Sequence, residues 1–172
     1  MNKRVVWFVI AVAAQLFILA AVPSQKTHAR AAGKTILLKT VPVAPNSITR
    51  SNYVILGYEI SNPAVSTEWR KWPEGKPVWI TLKQDAGKIW NAVSVHDSRP
   101  SVPADCVVIK GKTVGGKIEY GIESLFFSED IRDKVARDLL ANPAGAKVEV
   151  KVDSFGNAAI TKLIIQDRVY AY

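Results

Sequence analysis

The chain has 172 residues, 48% of them hydrophobic, and a formal net charge of +8 at pH 7. That composition excludes a disordered chain and gives enough apolar material for one domain-sized core. The single Cys106 excludes an intrachain disulfide scaffold, and with only His28 and His96 beside it a zinc site lacks its usual three or four ligands. No metal and no cofactor are expected.

The positive charge is concentrated at the N-terminal end. Residues 1–58 hold Lys3, Arg4, Lys26, Arg30, Lys34, Lys39 and Arg50, and the first acid is Glu59. Residues 59–172 hold 16 basic and 15 acidic groups, which leaves that part of the chain nearly neutral. Nucleic-acid binding needs a basic face on the folded domain, so no nucleic-acid partner is expected. A basic stem beside an apolar segment suits lipid headgroups better.

In chain order, residues 1–4 form a short positive tail. Residues 5–22 are an apolar run of 18, interrupted only by Gln15. As a helix it would be about 27 Å long, close to the hydrocarbon thickness of a bilayer. The run exceeds the apolar stretch of a signal peptide, and Lys26 stands ahead of the weak cleavage sites near residues 29–31. A single transmembrane anchor is therefore expected at 5–22, with membrane lipid as its partner and a basic stem at 23–33. The downstream flank carries more positive charge than the tail, which leans toward a cytoplasmic domain. The signal-like order of tail and run argues the other way, and an extracytoplasmic, single-pass placement is the expectation.

Residues 34–172 read as one mainly β domain, barrel-like or sandwich-like, of seven or eight strands and one short helix. Strands are predicted at 34–41, 53–60, 78–82, 89–95, 106–109, 117–122, 148–152 and 158–165. Val148, Val150 and Val152 alternate with Lys147, Glu149 and Lys151, the pattern of a half-buried strand. Asp153 to Asn157 supply turn residues before the hairpin partner. Ile89, Val93 and Val95 are placed on one side of their strand, Trp90, Ala92 and Ser94 on the other. Ser128 is the predicted N-cap of the helix, with Glu129, Asp130 and Asp133 at its positive end. Ile131, Val135 and Leu139 form an apolar stripe that should lie on the sheet, and Pro143 and Gly145 end the helix.

No catalytic constellation emerges. His96-Asp97 has no serine in a nucleophile-elbow context. Glu123 and Glu129 fit an acid–base pair only if a loop brings them together, and Glu129 suits first-turn helix chemistry. Gly115-Gly116 reads as a hairpin turn. Trp69, Arg70, Lys71 and Trp72 form the most suggestive loop, with two indoles flanking two cations. They are a possible contact surface for membrane or partner, the alternative being that the indoles cap the core.

Residues 50–60 read Arg-Ser-Asn-Tyr-Val-Ile-Leu-Gly-Tyr-Glu-Ile. Tyr53, Leu56 and Tyr58 match the Y, L and Y of the motif that defines the GDYXXLXY protein family, a set of bacterial membrane-anchored proteins that this chain resembles. Gln15-Leu16 in an apolar helix, Gly33-Lys34-Thr35, Leu37-Leu38 and the run from Val41 to Pro45 agree in order. Tyr120, Gly121, Ile122 and Glu123, followed by Phe126 and Glu129, resemble the family's second signature. Three departures share a character: Ser51 replaces a Gly, Asn52 an Asp, and Ala44 an Asp. A role that needs those carboxylates is lost here, while a turn made by Asn52 survives. The resemblance implies a membrane anchor, a domain of unknown activity and a polytopic membrane protein as partner.

The expected function is thus a membrane-anchored accessory or interaction domain. The alternatives are an envelope hydrolase of glycan or peptide using Glu59 or Glu123, and a small-ligand-binding β barrel.

Overall fold

The computed structural model describes residues 3–43, 49, 50, 53–142 and 145–171. A long helix, α1 (Lys3–Ala32), leads into β1 (Lys34–Val41). The next strands are β2 (Thr49–Arg50), β3 (Tyr53–Ile55), β4 (Gly57–Tyr58), β5 (Pro77–Gln84), β6 (Trp90–His96), β7 (Cys106–Val114), β8 (Lys117–Glu119) and β9 (Ser124–Phe126). Helix α2 (Glu129–Ala141) follows, then β10 (Ala146–Val152), β11 (Ala158–Ile165) and β12 (Arg168–Ala171). Short 3-10 turns lie at Glu59–Ser61 and Glu68–Lys71.

The mainly β architecture read from the sequence is the one observed. All strand pairs are antiparallel and form three sheets, ordered β12-β11-β10-β1-β4, β2-β3-β9 and β6-β5-β7-β8. Between a barrel and a sandwich the chain adopts a curled half-barrel. One core cluster lies inside it, with Ile36, Leu38, Val78, Ile80, Leu82, Val148, Val150 and Val152 from alternate strand positions. Backbone bonds stitch the sheets together: Lys110 N donates to Gly156 O at 2.8 Å, and Leu56 N donates to Glu123 O at 2.8 Å.

Several expectations need correction, beginning with the strand number, which is twelve among the described residues against the seven or eight expected. The strand at 53–60 is two strands, because Leu56 leaves the ladder to bond Glu123 and β3 and β4 join different sheets. The strand at 117–122 stops at Glu119, where the chain turns. Val93 does not share a face with Val95. β6 bulges against β5, with Thr81 opposite Ser94 and Leu82 opposite Ala92, so Val93 is the extra residue and Trp90, Ala92 and Val95 face the core. In α2, Val135, Ala136 and Leu139 are buried but Ile131 is 45% exposed, so the stripe begins a turn later than predicted. Ser128 occupies the N-cap, yet its side chain makes no capping bond there.

Among the described residues no helix is long and apolar enough to cross a membrane. The anchor expected at 5–22 falls half on side chains outside the described set: Val5, Ala14 and residues 16–22. The α1 backbone is helical to Ala32, through the segment read as a stem. Its last turn is seated on the domain. Ala29 is fully buried, Gly33 N donates to Ala29 O at 2.9 Å, and the Lys151 ammonium donates to the Arg30 carbonyl at 2.8 Å.

Candidate functional site

The two signature segments, some 65 residues apart, form one structural unit. β3 and β9 pair so that Tyr53 lies opposite Phe126 and Val54 opposite Leu125. The Tyr53 and Phe126 rings are 5.5 Å apart and tilted, on the outer side, with Phe126 59% exposed. On the inner side Val54, Leu56 and Tyr58 are buried together. Beyond the ladder the segments exchange hydroxyls. Tyr58 donates its phenol proton to the Ile122 carbonyl at 2.6 Å, and Tyr120 donates its own to the Ile60 carbonyl at 2.5 Å. Each signature therefore clamps the backbone of the other. Burial first, and then the nearby Glu123 charge, push both phenols well above the usual tyrosine value.

Glu123 closes the turn that joins β8 to β9. Its Oε1 accepts the Tyr120 backbone N–H at 2.6 Å. Gly121 between them has φ +76°, a left-handed conformation that glycine adopts without strain. Ile122 is buried as the turn's hydrophobic plug. The Glu123 carboxyl is raised above the usual glutamate range, chiefly because burial removes water from the charged form. No cation forms an ion pair with it among the described residues.

A cleft of about 700 Å³ opens beside this clamp. Its floor includes Leu56, Tyr58 and Ile118, and its accessible walls are Val41, Pro42, Val43 and Ile55. Glu59, Glu119, Glu123 and Lys117 also line it. Glu59 is met by Lys39 at 3.3 Å and Glu119 by Lys112 at 3.9 Å. Ser61 and Asn62 complete a lining that mixes apolar and polar side chains.

The remaining sequence candidates are dispersed. Glu129 sits in the first turn of α2, 3.7 Å from Arg132, with its side chain 83% exposed, and does not line the cleft with Glu123. Ser51, Asn52 and Ala44 lie outside the described residues. In the tryptophan loop the core-capping alternative holds for Trp69. Trp69 is 1% exposed inside the core, its indole nitrogen without a hydrogen-bond partner, and so offers nothing to a membrane or partner. Trp72 is half-buried against the core under the Lys76 ammonium, 4.2 Å from the ring centre. Arg70 and Lys71 remain exposed; Arg70 lies over the Trp69 ring and donates to Asn62 Oδ1 at 2.6 Å. His96 Nε2 shares hydrogen bonds with Ser94 at 2.8 Å and Thr81 at 3.2 Å, at the end of β6. Among the described residues no three His, Cys, Asp or Glu side chains gather to hold a metal ion.

Sequence reasoning missed Val41, Pro42, Val43, Lys117 and Glu119 as cleft residues. The legible hint was an apolar Val-Pro-Val that continues past the end of a strand. It also missed the seating of α1, for which the hint was Ala29-x-x-x-Gly33, two small residues one helical turn apart.

Nothing among curated proteins or solved structures matches the chain. The family model described as GDYXXLXY protein matches residues 15–163 and so spans both interlocked signatures. The chain belongs to the GDYXXLXY protein family.

Proposed function

We propose that this chain is a non-enzymatic accessory domain, tethered to a membrane by residues 5–22 within α1 and contacting a polytopic membrane protein or the envelope from the extracytoplasmic side. One observation carries the non-enzymatic part: three buried or half-buried polar groups of the signatures are committed to the chain's own backbone. The Tyr58 and Tyr120 hydroxyls and Glu123 Oε1 each hold a main-chain group of the opposite or adjoining segment. A residue set selected for this clamp needs no substrate to explain it. The tether is supported by the 18-residue apolar run in the sequence and by the unbroken helical backbone that contains it.

The test is membrane fractionation of the full chain followed by detergent pulldown. Retention in the pellet through alkaline carbonate and recovery of a defined polytopic protein are the expected results. Release by carbonate removes the tether, and repeated pulldowns without a specific membrane protein remove the accessory role.

A second reading, an envelope hydrolase, is favoured by one specific observation: Glu59 and Glu123 line the same cleft, and Glu123 holds its proton more tightly than an ordinary carboxylate. Against it stand the Lys39 ion pair on Glu59 and the backbone bond on Glu123. Glycan or peptide turnover that is lost in Glu123→Gln with an unchanged fold decides for this reading.

A further inference from the structure

The cleft beside the signature clamp is lined by three carboxylates, Glu59, Glu119 and Glu123, and by one ammonium, Lys117, which forms no ion pair with Glu123. Of its three carboxylates, Glu59 and Glu119 have cations of the chain beside them, and those cations, Lys39 and Lys112, are not cleft residues. Glu123 is the one without an ion pair among the described residues. Its carboxylate is half-buried at the cleft lining; Oε1 accepts the Tyr120 N–H, and the Glu123 and Gly121 amides also face the group. Part of the lining is apolar: Val41 is 37% exposed and is joined by Pro42, Val43 and Ile55, while Ser61 and Asn62 add polar groups. A half-buried anion that shares a cleft with exposed apolar side chains is complementary to a cation on an apolar stem.

We infer that the cleft receives one arginine or lysine side chain, presented by a segment of a partner protein with apolar residues on either side of it. The methylene stem lies along Val41, Val43 and Ile55. The charged head meets Glu123 in a charge-assisted hydrogen bond, shielded from water. The flanking apolar residues cover the exposed Val41–Pro42 edge. Arginine is favoured over lysine, because a guanidinium is more weakly hydrated and gives up less on entering a half-buried site. The inference deepens the accessory reading, since it states what the partner must offer.

The experiment uses the full chain in detergent micelles and fluorescein-labelled peptides of sequence Gly-Val-Arg-Val-Gly, with Gln or Glu in place of Arg. The Arg peptide is expected to bind at least about tenfold more tightly than the Gln peptide, with the Glu peptide weaker still. Glu123→Gln should erase the Arg preference, while Glu59→Gln changes it by less than about twofold. Val41→Lys, at an exposed position, supplies a second variant: a cation at the entrance should weaken the Arg peptide selectively. Equal binding of Arg and Gln peptides overturns the inference. Equal losses in Glu123→Gln and Glu59→Gln also overturn it, because they indicate diffuse attraction. Agmatine binding as tightly as the Arg peptide replaces the partner segment with a small ligand. Carbonate extraction of the membranes, before the chain is solubilised from them, keeps the two proposals apart. A chain that stays in the membrane but shows no Arg preference loses the site alone, and one that binds the Arg peptide but is extracted loses the tether alone.

Discussion

Tyr58 and Tyr120 are buried tyrosines whose hydroxyls each reach a main-chain carbonyl of the other signature. Replacing either with Phe keeps the ring and leaves a buried carbonyl, Ile122 O or Ile60 O, without its donor. Each substitution should cost about 1–3 kcal/mol, read as a lower urea midpoint at constant slope. The double variant should deviate from the sum of the singles by more than about 0.5 kcal/mol, since both bonds hold the same two segments. Strict additivity would mean that the bonds act independently. Glu123 gives a pH signature of its own. Its pKa is raised in the folded state, so between its unfolded and folded values the native chain binds more proton than the unfolded chain. Its contribution is therefore most favourable at low pH and declines as pH rises above about 4.3 toward the folded value. Glu123→Gln should remove that decline, so its stability relative to wild type increases from pH 4 to pH 7. A pH-independent difference between the two would contradict the burial of the carboxylate. The tyrosines were legible in the sequence as a strand pattern, but the exchange of hydroxyls was not, because nothing local says which carbonyl a phenol will meet.

At the scale of elements, the joint between α1 and β1 is the most constrained point. A Cβ on Gly33 would stand 2.4 Å from Ala29 O and 2.9 Å from Val152 N, both main-chain atoms that cannot swing aside. Gly33→Ala should lift the last helical turn off β10 and β11. Limited proteolysis is expected to gain cleavage between residues 28 and 35, while the fluorescence of core Trp69 and Trp90 stays native. An unchanged digest would show that the helix end tolerates displacement. At the other edge, Asp138 of α2 accepts from Arg168 at 2.8 Å and from the Tyr170 hydroxyl at 2.5 Å, which ties the helix to β12. The tyrosine bond, then the arginine bond, hold that carboxyl below its usual range. β12 escaped sequence reading because its four residues lack a clean alternation, and it is defined by pairing with β11. The split of β3 from β4 escaped for a related reason. Burial still alternates from Val54 through Tyr58, and periodicity alone cannot register that the chain changes sheets at Leu56.

At the scale of the whole molecule, a chain lacking residues 1–22 should keep the half-barrel, since among the described residues the buried cluster begins at Ile36. Its far-UV circular dichroism should retain the β contribution, and it should move from the membrane pellet to the supernatant. Persistence in the pellet would place the membrane contact in the domain itself. The sequence by itself determined a helix over the N-terminal apolar run, the mainly β body, the hairpin turns, one short helix and the family. Each of these is written in local periodicity, turn chemistry or motif order. The tertiary structure alone decided that two distant signatures clamp each other, that Trp69 belongs to the core, and that Val41, Pro42, Val43 and Glu123 share a cleft. Those facts depend on which sheet each strand joins. That choice is made by the summed burial of the whole core and leaves no mark on any single segment.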